Sequence, residues 1–324
     1  MKEEIKYCGV DVSMDTLDVC FQNEEDKTIH LHVNNNKTGF KELLKHCSGY
    51  HFVMESTGVY HLNLVFYLHQ KSEVFSVENA LKVKRYIQMH LDRNKTDKKD
   101  ALRLMEYGTD TCPKPYEMPE AAYFECRSLN NSIHDLTKEI TKLSNRIHAL
   151  NKSPYDSKAV IKSYKRLIKQ FRKEKIELLE ELDNKLTEWQ PEKLKQVKSI
   201  TGLGPRAAAE LIIYTKAFRG MDNYRQLISY AGLSPIEYSS GSSIRGRVKI
   251  SKRGGKQLRN ILYMCALNAK DTNPQCKKLY DRMVACGKNK KLALIAVCNK
   301  LLKIVFGCIR NGTLYRTDYL ENLV

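Results

Sequence analysis

Residues 6–33, KYCGVDVSMDTLDVCFQNEEDKTIHLHV, decide how the N-terminal part of the chain is read. Three short runs, 6–12 (KYCGVDV), 17–22 (LDVCFQ) and 28–33 (TIHLHV), are rich in β-branched and apolar residues and are separated by polar turns, so they predict a three-strand meander. Beyond them the period changes. Residues 37–47 carry helical spacing, 51–54 form a short apolar run, 58–70 are helical, 73–77 form a fifth strand, and 79–91 are helical again. The order βββαβαβα predicts an α/β domain, a mixed sheet with helices on its faces, in which active groups collect at strand ends.

Acidic side chains stand where such ends are expected. Asp11 lies in the first strand as GVDVS, and Glu55 closes the fourth as HFVMEST, where Ser56 or Thr57 is placed to cap the next helix. A carboxylate in an apolar strand is costly to bury without a partner. Farther on, residues 91–102 (LDRNKTDKKDAL) set Asp97 and Asp100 three apart, on one face of a helix, among Lys95, Lys98 and Lys99. Taken singly, each acid also reads as an exposed strand end or a solvated, mixed-charge helix start. Taken together, four carboxylates at one end of one α/β unit form the constellation expected for Mg²⁺-assisted phosphoryl chemistry, with the lysines suited to an anionic substrate.

The order Asp11, Glu55, Asp97, Asp100, in the local strings GVDVS, ESTGVY and RNKTDKKDA, resembles the RuvC-like catalytic domain of the DEDD transposases of bridge-RNA-guided insertion sequences. That resemblance implies an RNase H-like (RuvC-like) sheet over residues 1–111 and makes Asp11, Glu55, Asp97 and Asp100 the catalytic ligands of Mg²⁺.

Three prolines in residues 112–119 (CPKPYEMP) end this first domain. Next, Ile133, Leu136, Ile140, Leu143, Ile147 and Leu150 step by alternating threes and fours, an unbroken a/d seam predicting a helical coiled coil. Residues 151–156 (NKSPYD) interrupt it, and a looser helix follows over 157–189. The two helices either fold back as an antiparallel hairpin or pair with another copy of the chain. Residues 112–190 are therefore read as linker and coiled coil for dimerisation, and the resemblance implies dimers that assemble into tetramers.

Charge separates the rest. The chain carries 55 Lys and Arg against 37 Asp and Glu, a formal +18, of which residues 196–324 hold +16. Such asymmetry points the C-terminal part, 191–324, toward a polyanion: nucleic acid first, an anionic membrane surface second. Residues 199–214 (SITGLGPRAAAELIIY) place Gly202, Gly204 and Arg206 at a turn between helices, similar to a helix-hairpin-helix element that holds phosphate on backbone N–H groups; a plain packing turn has the same pattern. Residues 230–259 (YAGLSPIEYSSGSSIRGRVKISKRGGKQLR) then combine a Ser/Gly cluster with Arg245, Arg247, Lys249, Lys252, Arg253, Lys256 and Arg259 and no acid after Glu237. A phosphate backbone passing over this run would neutralise it. The mostly helical remainder is predicted near 256–270, 275–286 and 289–310. All nine histidines lie between His30 and His148, so a serine in this run has no local histidine base, and the residues alone are also consistent with a flexible polar loop.

Residues 232–267 are similar to the C-terminal transposase domain of the same family, and in the motif Ser-Gly-x-Ser-Ile-Arg-Gly the position of the nucleophile is Ser240, preceded by a second serine, Ser239. The resemblance implies an enzyme: an RNA-guided DNA transposase or recombinase in which Ser240 forms a covalent phosphoserine link to DNA beside Mg²⁺. Donor and target DNA would be chosen by base pairing with a structured guide (bridge) RNA, and the two domains must meet within one chain or between partners. The rival readings are a RuvC-like hydrolytic nuclease using the metal site and water, and a non-catalytic nucleic-acid-binding assembly protein. No segment approaches the roughly 18 uninterrupted apolar residues that a spanning helix needs, and no signal-peptide core opens the chain, so the expected location is the cytoplasm. Ten scattered cysteines without a CxxC pair are expected to be reduced and mostly buried.

Overall fold

A computed structural model describes residues 5–56, 58–90, 96–236 and 249–317, together with the backbone of 239–240 and 244–245. The chain divides into two compact units, Met1–Met118 and Pro119–Val324.

The first unit follows the predicted order. β1 (Tyr7–Val12), β2 (Thr16–Gln22) and β3 (Thr28–Asn34) form the meander, followed by α1 (Lys37–Cys47), β4 (His51–Glu55), α2 (Leu62–Gln70), β5 (Phe75–Glu78), α3 (Ala80–Met89) and α4 (Asp97–Thr111). The sheet order is β3-β2-β1-β4-β5, so β1 is central. It pairs antiparallel with β2 and parallel with β4, and β4 pairs parallel with β5. The meander needs only tight turns, whereas the parallel pairs need crossovers, which α1 and α2 supply. The proline-rich 112–118 segment does not leave the sheet at once. Tyr116 N–H donates to the Phe75 carbonyl at 2.7 Å and Ser76 Oγ–H to the Lys114 carbonyl at 2.7 Å, which covers the exposed edge of β5.

Alternation along β1 divides the two faces. Cys8, Val10 and Val12 point into one core with Leu17, Phe40, Leu43, Leu64 and Leu68. Tyr7, with Cys20 and Val53 from the flanking strands, points into the other, built with Val83 of α3 and Ala101, Leu104 and Met105 of α4. Gly9 lies on this second face and has to be glycine. A Cβ there would stand 2.1 Å from the Ala101 carbonyl oxygen and 2.3 Å from Met105 N. At the other end of the contact, Gly108 sits against the Tyr7 ring. Helix α4 therefore lies bare backbone to bare backbone on β1 and runs in the opposite sense to it.

The second unit contains α5 (Ala121–Leu150), α6 (Lys158–Trp189), α7 (Pro191–Lys198), α8 (Pro205–Tyr214) and α9 (Tyr224–Tyr230). After these come four two-residue strands, β6 (Pro235–Ile236), β7 (Ser239–Ser240), β8 (Ile244–Arg245) and β9 (Lys249–Ile250), then α10 (Lys256–Thr272), α11 (Pro274–Ala285) and α12 (Lys290–Asn311). Helices α5 and α6 pack on each other, so the hairpin alternative is formed within one chain. Of the predicted seam, Ile133 and Leu143 are buried, while Leu136, Ile140, Ile147 and Leu150 are half-buried. At the hairpin base, Tyr123, Cys126, Ile133, Leu182 and Leu186 join the same core as α7 to α12, so of the segment read as 112–190 the part from Pro119 on shares one hydrophobic interior with 191–324, while 112–118 stays with the first unit.

Helix α12 is long and apolar enough to cross a membrane by length and composition alone, which the charges at its start and Lys300 and Lys303 concealed in the sequence. Here Val297, Cys298, Leu301, Leu302 and Val305 are fully buried in the second core. All ten cysteines are free thiols, seven of them buried.

Replacing Gly9 by Ala is expected to force α4 off β1 and to lower unfolding free energy by about 2 kcal/mol or more, in the range of over-packed cores. Urea unfolding of the Gly9→Ala variant checks this, and a stability equal to the parent's would show that α4 does not need the bare backbone.

Candidate active site

The docking of α4 sets the geometry of the acids. From Gly9 to Asp11 the strand advances about 6.6 Å, and from Ala101 back to Asp97 the antiparallel helix advances about 6 Å. Asp97 and Asp100, in the first turn of α4, therefore arrive at the end of β1 that carries Asp11. Thr96 caps that turn, its hydroxyl accepting from Lys99 N–H, and the partial positive charge of the helix start favours both aspartates. In the parallel pair Val10 stands beside Met54, so one residue further the ladder sets Asp11 beside Glu55.

Register adds two acids that sequence reading did not single out. Asp11 pairs across the antiparallel ladder with Asp18, and Glu55 pairs with Glu78. Paired residues share a sheet face, so Asp18, Asp11, Glu55 and Glu78 form a row across four strands. The outer members carry partners: His32 Nδ1 lies 3.1 Å from Asp18 Oδ1, while Glu78 takes Lys82 Nζ at 3.1 Å and the Tyr107 hydroxyl at 3.2 Å. Asp18 was visible within LDVCFQ, but only strand register shows that it faces Asp11. Asn35 was also missed. Its side-chain amide donates to the carbonyls of Ser13 at 2.8 Å and Tyr60 at 3.2 Å, tying together the loops after β1 and before α2.

Electrostatics picks out Asp11. Burial raises its carboxyl from the usual aspartate range to about 6, and the negative charges of Asp100, Asp97, Glu55 and Asp18 push in the same direction. The three other acids named from the sequence thus act on Asp11 together with Asp18. Their chemistry suits a hard divalent cation, since every donor is a carboxylate oxygen and a cation would relieve the mutual repulsion. Among the described residues, however, no three carboxylate, thiol or imidazole groups are gathered closely enough to hold an ion as they stand.

The bases divide into two kinds. Lys98, Lys249, Lys252, Arg253 and Lys256 are exposed, and Lys99 is half-buried. Arg206 and Arg259 instead have internal work. Arg206 Nη2 lies 3.0 Å from His134 Nε2 and 3.6 Å from the buried Glu210 carboxylate, whose other partners are Asn130 and His134. Arg259 Nη1 donates to the carbonyls of Ala231 at 3.1 Å and Gly254 at 2.9 Å, holding the start of α10 to the end of α9. The glycine turn also serves packing: Gly202, at φ +101°, lies where a Cβ would meet the Ala269 Cβ at 2.6 Å. Strands β6 with β9 and β7 with β8 pair antiparallel, so Ser240 is carried on a β-hairpin, its backbone opposite Ile244 and that of Ser239 opposite Arg245. The side chains of Ser239, Ser240 and Arg245, and all of Lys95 and Arg247, lie outside the described residues.

The chain thus joins an acid-bearing mixed-sheet unit to a strongly basic helical unit, and both parts have counterparts among known proteins. Residues 8–153 match a transposase family model of the DEDD type, and residues 194–281 match the model described as transposase IS116/IS110/IS902 family. The pilin gene-inverting proteins of Moraxella lacunata and Moraxella bovis are each 27% identical over 317 residues, covering 94% of this chain and 96% of theirs. An uncharacterized 43.6 kDa protein of insertion element IS110 from Streptomyces coelicolor is 32% identical over 119 residues, 37% of this chain and 29% of its own length. The chain belongs to the IS110/IS902 family of DEDD-type transposases, which are enzymes of DNA recombination.

The raised Asp11 pKa has a stability consequence of definite sign. An unfolded aspartate titrates near ~3.9, so the folded protein holds an extra proton between that pH and about 6, and above 6 the ionised Asp11 works against folding. Asp11→Asn should therefore raise the melting temperature above pH 6 and lose this advantage below about pH 4, with a gain of about 1 kcal/mol once solvent screening is allowed for. Thermal melts of both proteins across this pH range, without divalent cations, test it; a gain that grows as pH falls would contradict the assignment.

Proposed function

We propose that this transposase is an RNA-guided DNA recombinase of an insertion sequence, in which Ser240 is the nucleophile and Asp11, Glu55, Asp97 and Asp100 hold Mg²⁺. The observation that carries the reading is the placement of these four carboxylates, from β1, β4 and α4, at one end of β1, where burial and then the neighbouring negative charges raise the pKa of Asp11. The first unit is read as RNase H-like, which its strand order β3-β2-β1-β4-β5 supports.

In the proposed reaction the Ser240 oxygen bonds to a DNA phosphorus, the bond from phosphorus to one sugar oxygen breaks, and the serine proton leaves to solvent while the departing oxygen is protonated. Attack by the sugar hydroxyl of the incoming strand reverses these steps and releases the serine, so the phosphodiester count is unchanged. Mg²⁺, when bound, would supply positive charge to the phosphate oxygens. Asp11, Glu55, Asp97 and Asp100 provide its oxygen donors, and Lys98 and Lys99 stand beside them to receive a phosphate backbone. On the hairpin side, Lys249, Lys252, Arg253 and Lys256 present the cations that bind DNA by charge rather than by base identity. The acids and the serine belong to different units, and the reaction requires both to act on the same phosphodiester.

Guidance by a structured bridge RNA, pairing of chains through the α5/α6 hairpin into dimers and tetramers, and a cytoplasmic location complete the proposal. The half-buried apolar seam of that hairpin, together with Ile176 at 57% exposure, supports pairing of copies. The end-to-end likeness to pilin gene-inverting proteins favours one variant: recombination between two sites on one DNA that turns the intervening segment around, with the same strand chemistry.

Incubating the protein with guide RNA, DNA and Mg²⁺, then denaturing, should leave DNA attached to a Ser240-containing peptide. Ser240→Ala should abolish the adduct and Ser239→Ala should retain it. Strand cleavage by Ser240→Ala at the parent rate, with Asp100→Ala inactive, would instead establish the hydrolytic nuclease. Mg²⁺ should also raise the parent's melting temperature above pH 6, and this rise should be reduced at least severalfold in Asp100→Asn; equal rises in both would remove Asp100 from the ligand set.

A further inference from the structure

A second polar site lies in the helical unit, remote in sequence from both the DEDD acids and the serine hairpin. The start of α5, the junction of α6 with α7 and the turn after α8 enclose a cleft of about 240 Å³. Its charged lining consists of Lys193, Lys216 and Arg219 with a single carboxylate, Glu120. That carboxylate is shared: the Trp189 indole N–H donates to it, and Arg219 Nη2 lies 3.4 Å from it. Two of the cations are not ordinary surface lysines. Burial lowers the pKa of both Lys193 and Lys216, so the fold holds positive charge where water solvates it poorly.

The backbone of the cleft is unusual as well. Lys216, Ala217 and Phe218 all adopt left-handed conformations, at φ +50°, +56° and +63°. For residues with a Cβ this costs about 1–2 kcal/mol each, and strain of this kind gathers at functional sites. Hydrogen bonds maintain it: Ala217 N–H donates to the Ile212 carbonyl at 2.7 Å, Phe218 N–H to Thr215 Oγ1 at 3.0 Å, and Lys193 Nζ to the Ala217 carbonyl at 3.0 Å. The strained turn brings Lys216 and Arg219 to the same cleft as Lys193, two helices earlier. A volume of 240 Å³ is below the ~300–1,000 Å³ of pockets for drug-sized ligands, so it suits a group of phosphate size.

We propose that this cleft is a nucleic-acid backbone site, in which Lys193, Lys216 and Arg219 receive a phosphodiester of bound DNA or RNA and Glu120 serves as the internal counter-charge that the phosphate replaces. The site stands independently of the role of Ser240, because it requires only that the chain bind a phosphate backbone.

Trp189 is the only tryptophan in the chain and lines the cleft, so its emission reports on the site directly. The full-length protein is titrated with a short DNA duplex and, separately, with an RNA duplex of the same sequence, while binding is followed in parallel by the anisotropy of the labelled nucleic acid. The expected result is a change in Trp189 emission that saturates together with the anisotropy, with the DNA and RNA arms identifying which polymer occupies the site. Lys216→Gln and Arg219→Gln should each weaken binding about tenfold at low salt and reduce the slope of log K against log salt by about 1. Arg219→Gln changes an exposed side chain and keeps the test decisive if Lys216→Gln does not fold. Emission unchanged while anisotropy saturates in both arms, or an Arg219→Gln salt slope equal to the parent's, overturns the proposal.

Discussion

The close approach of α4 to β1 is the contact on which the first unit depends. A helix normally rides on a sheet through side chains, but here the absence of a side chain at Gly9 lets the backbone of Ala101 and Met105 come down onto the strand. That contact fixes the height of the helix along the strand. Because both elements are stiff, what happens one turn earlier is determined too: Asp97 and Asp100 reach the end of β1 where Asp11 stands. The acidic site is thus a consequence of backbone packing, and its precision comes from regular elements rather than from loops.

The same arrangement works against folding stability. Four carboxylates surround a partly buried fifth, and burial first, then the repulsion of those neighbours, raises the Asp11 pKa to about 6. A protein selected only for stability would replace at least one of them. The outer acids of the row are treated differently: Asp18 is given His32, and Glu78 is given Lys82 and Tyr107. The outer acids are thus tied to named neighbours, while Asp11 is the member of the row whose pKa burial and the surrounding negative charges raise.

In the second unit the basic excess divides by what each guanidinium touches. Arg206 and Arg259 are absorbed into the fold, one by the Glu210 network that ties α8 to α5 and one by carbonyls at the start of α10. The lysines of the hairpin and of the α10 start remain at the surface. A third group is held inside a cleft by a left-handed turn that the surrounding core over-determines. Net charge therefore describes the unit's partner class, while packing decides which charges are available to it.

Period and composition were enough to determine much of this protein. Alternation in 6–33 and the helical spacing after it specify the succession of strands and helices along the chain, the 3-4 steps from Ile133 to Leu150 specify a long packed helix, and the four acids with their neighbours specify the transposase family. These are properties of neighbouring residues, and nearest-neighbour physics writes them locally. Tertiary structure alone decided the rest. Asp18 and Glu78 join the acids only through strand register, Arg206 and Arg259 leave the list of free bases only because distant carbonyls and carboxylates meet them, and Trp189, Lys193 and Arg219 become one cleft only when separate helices pack. Such juxtapositions depend on where the chain folds back on itself, which no window of sequence contains.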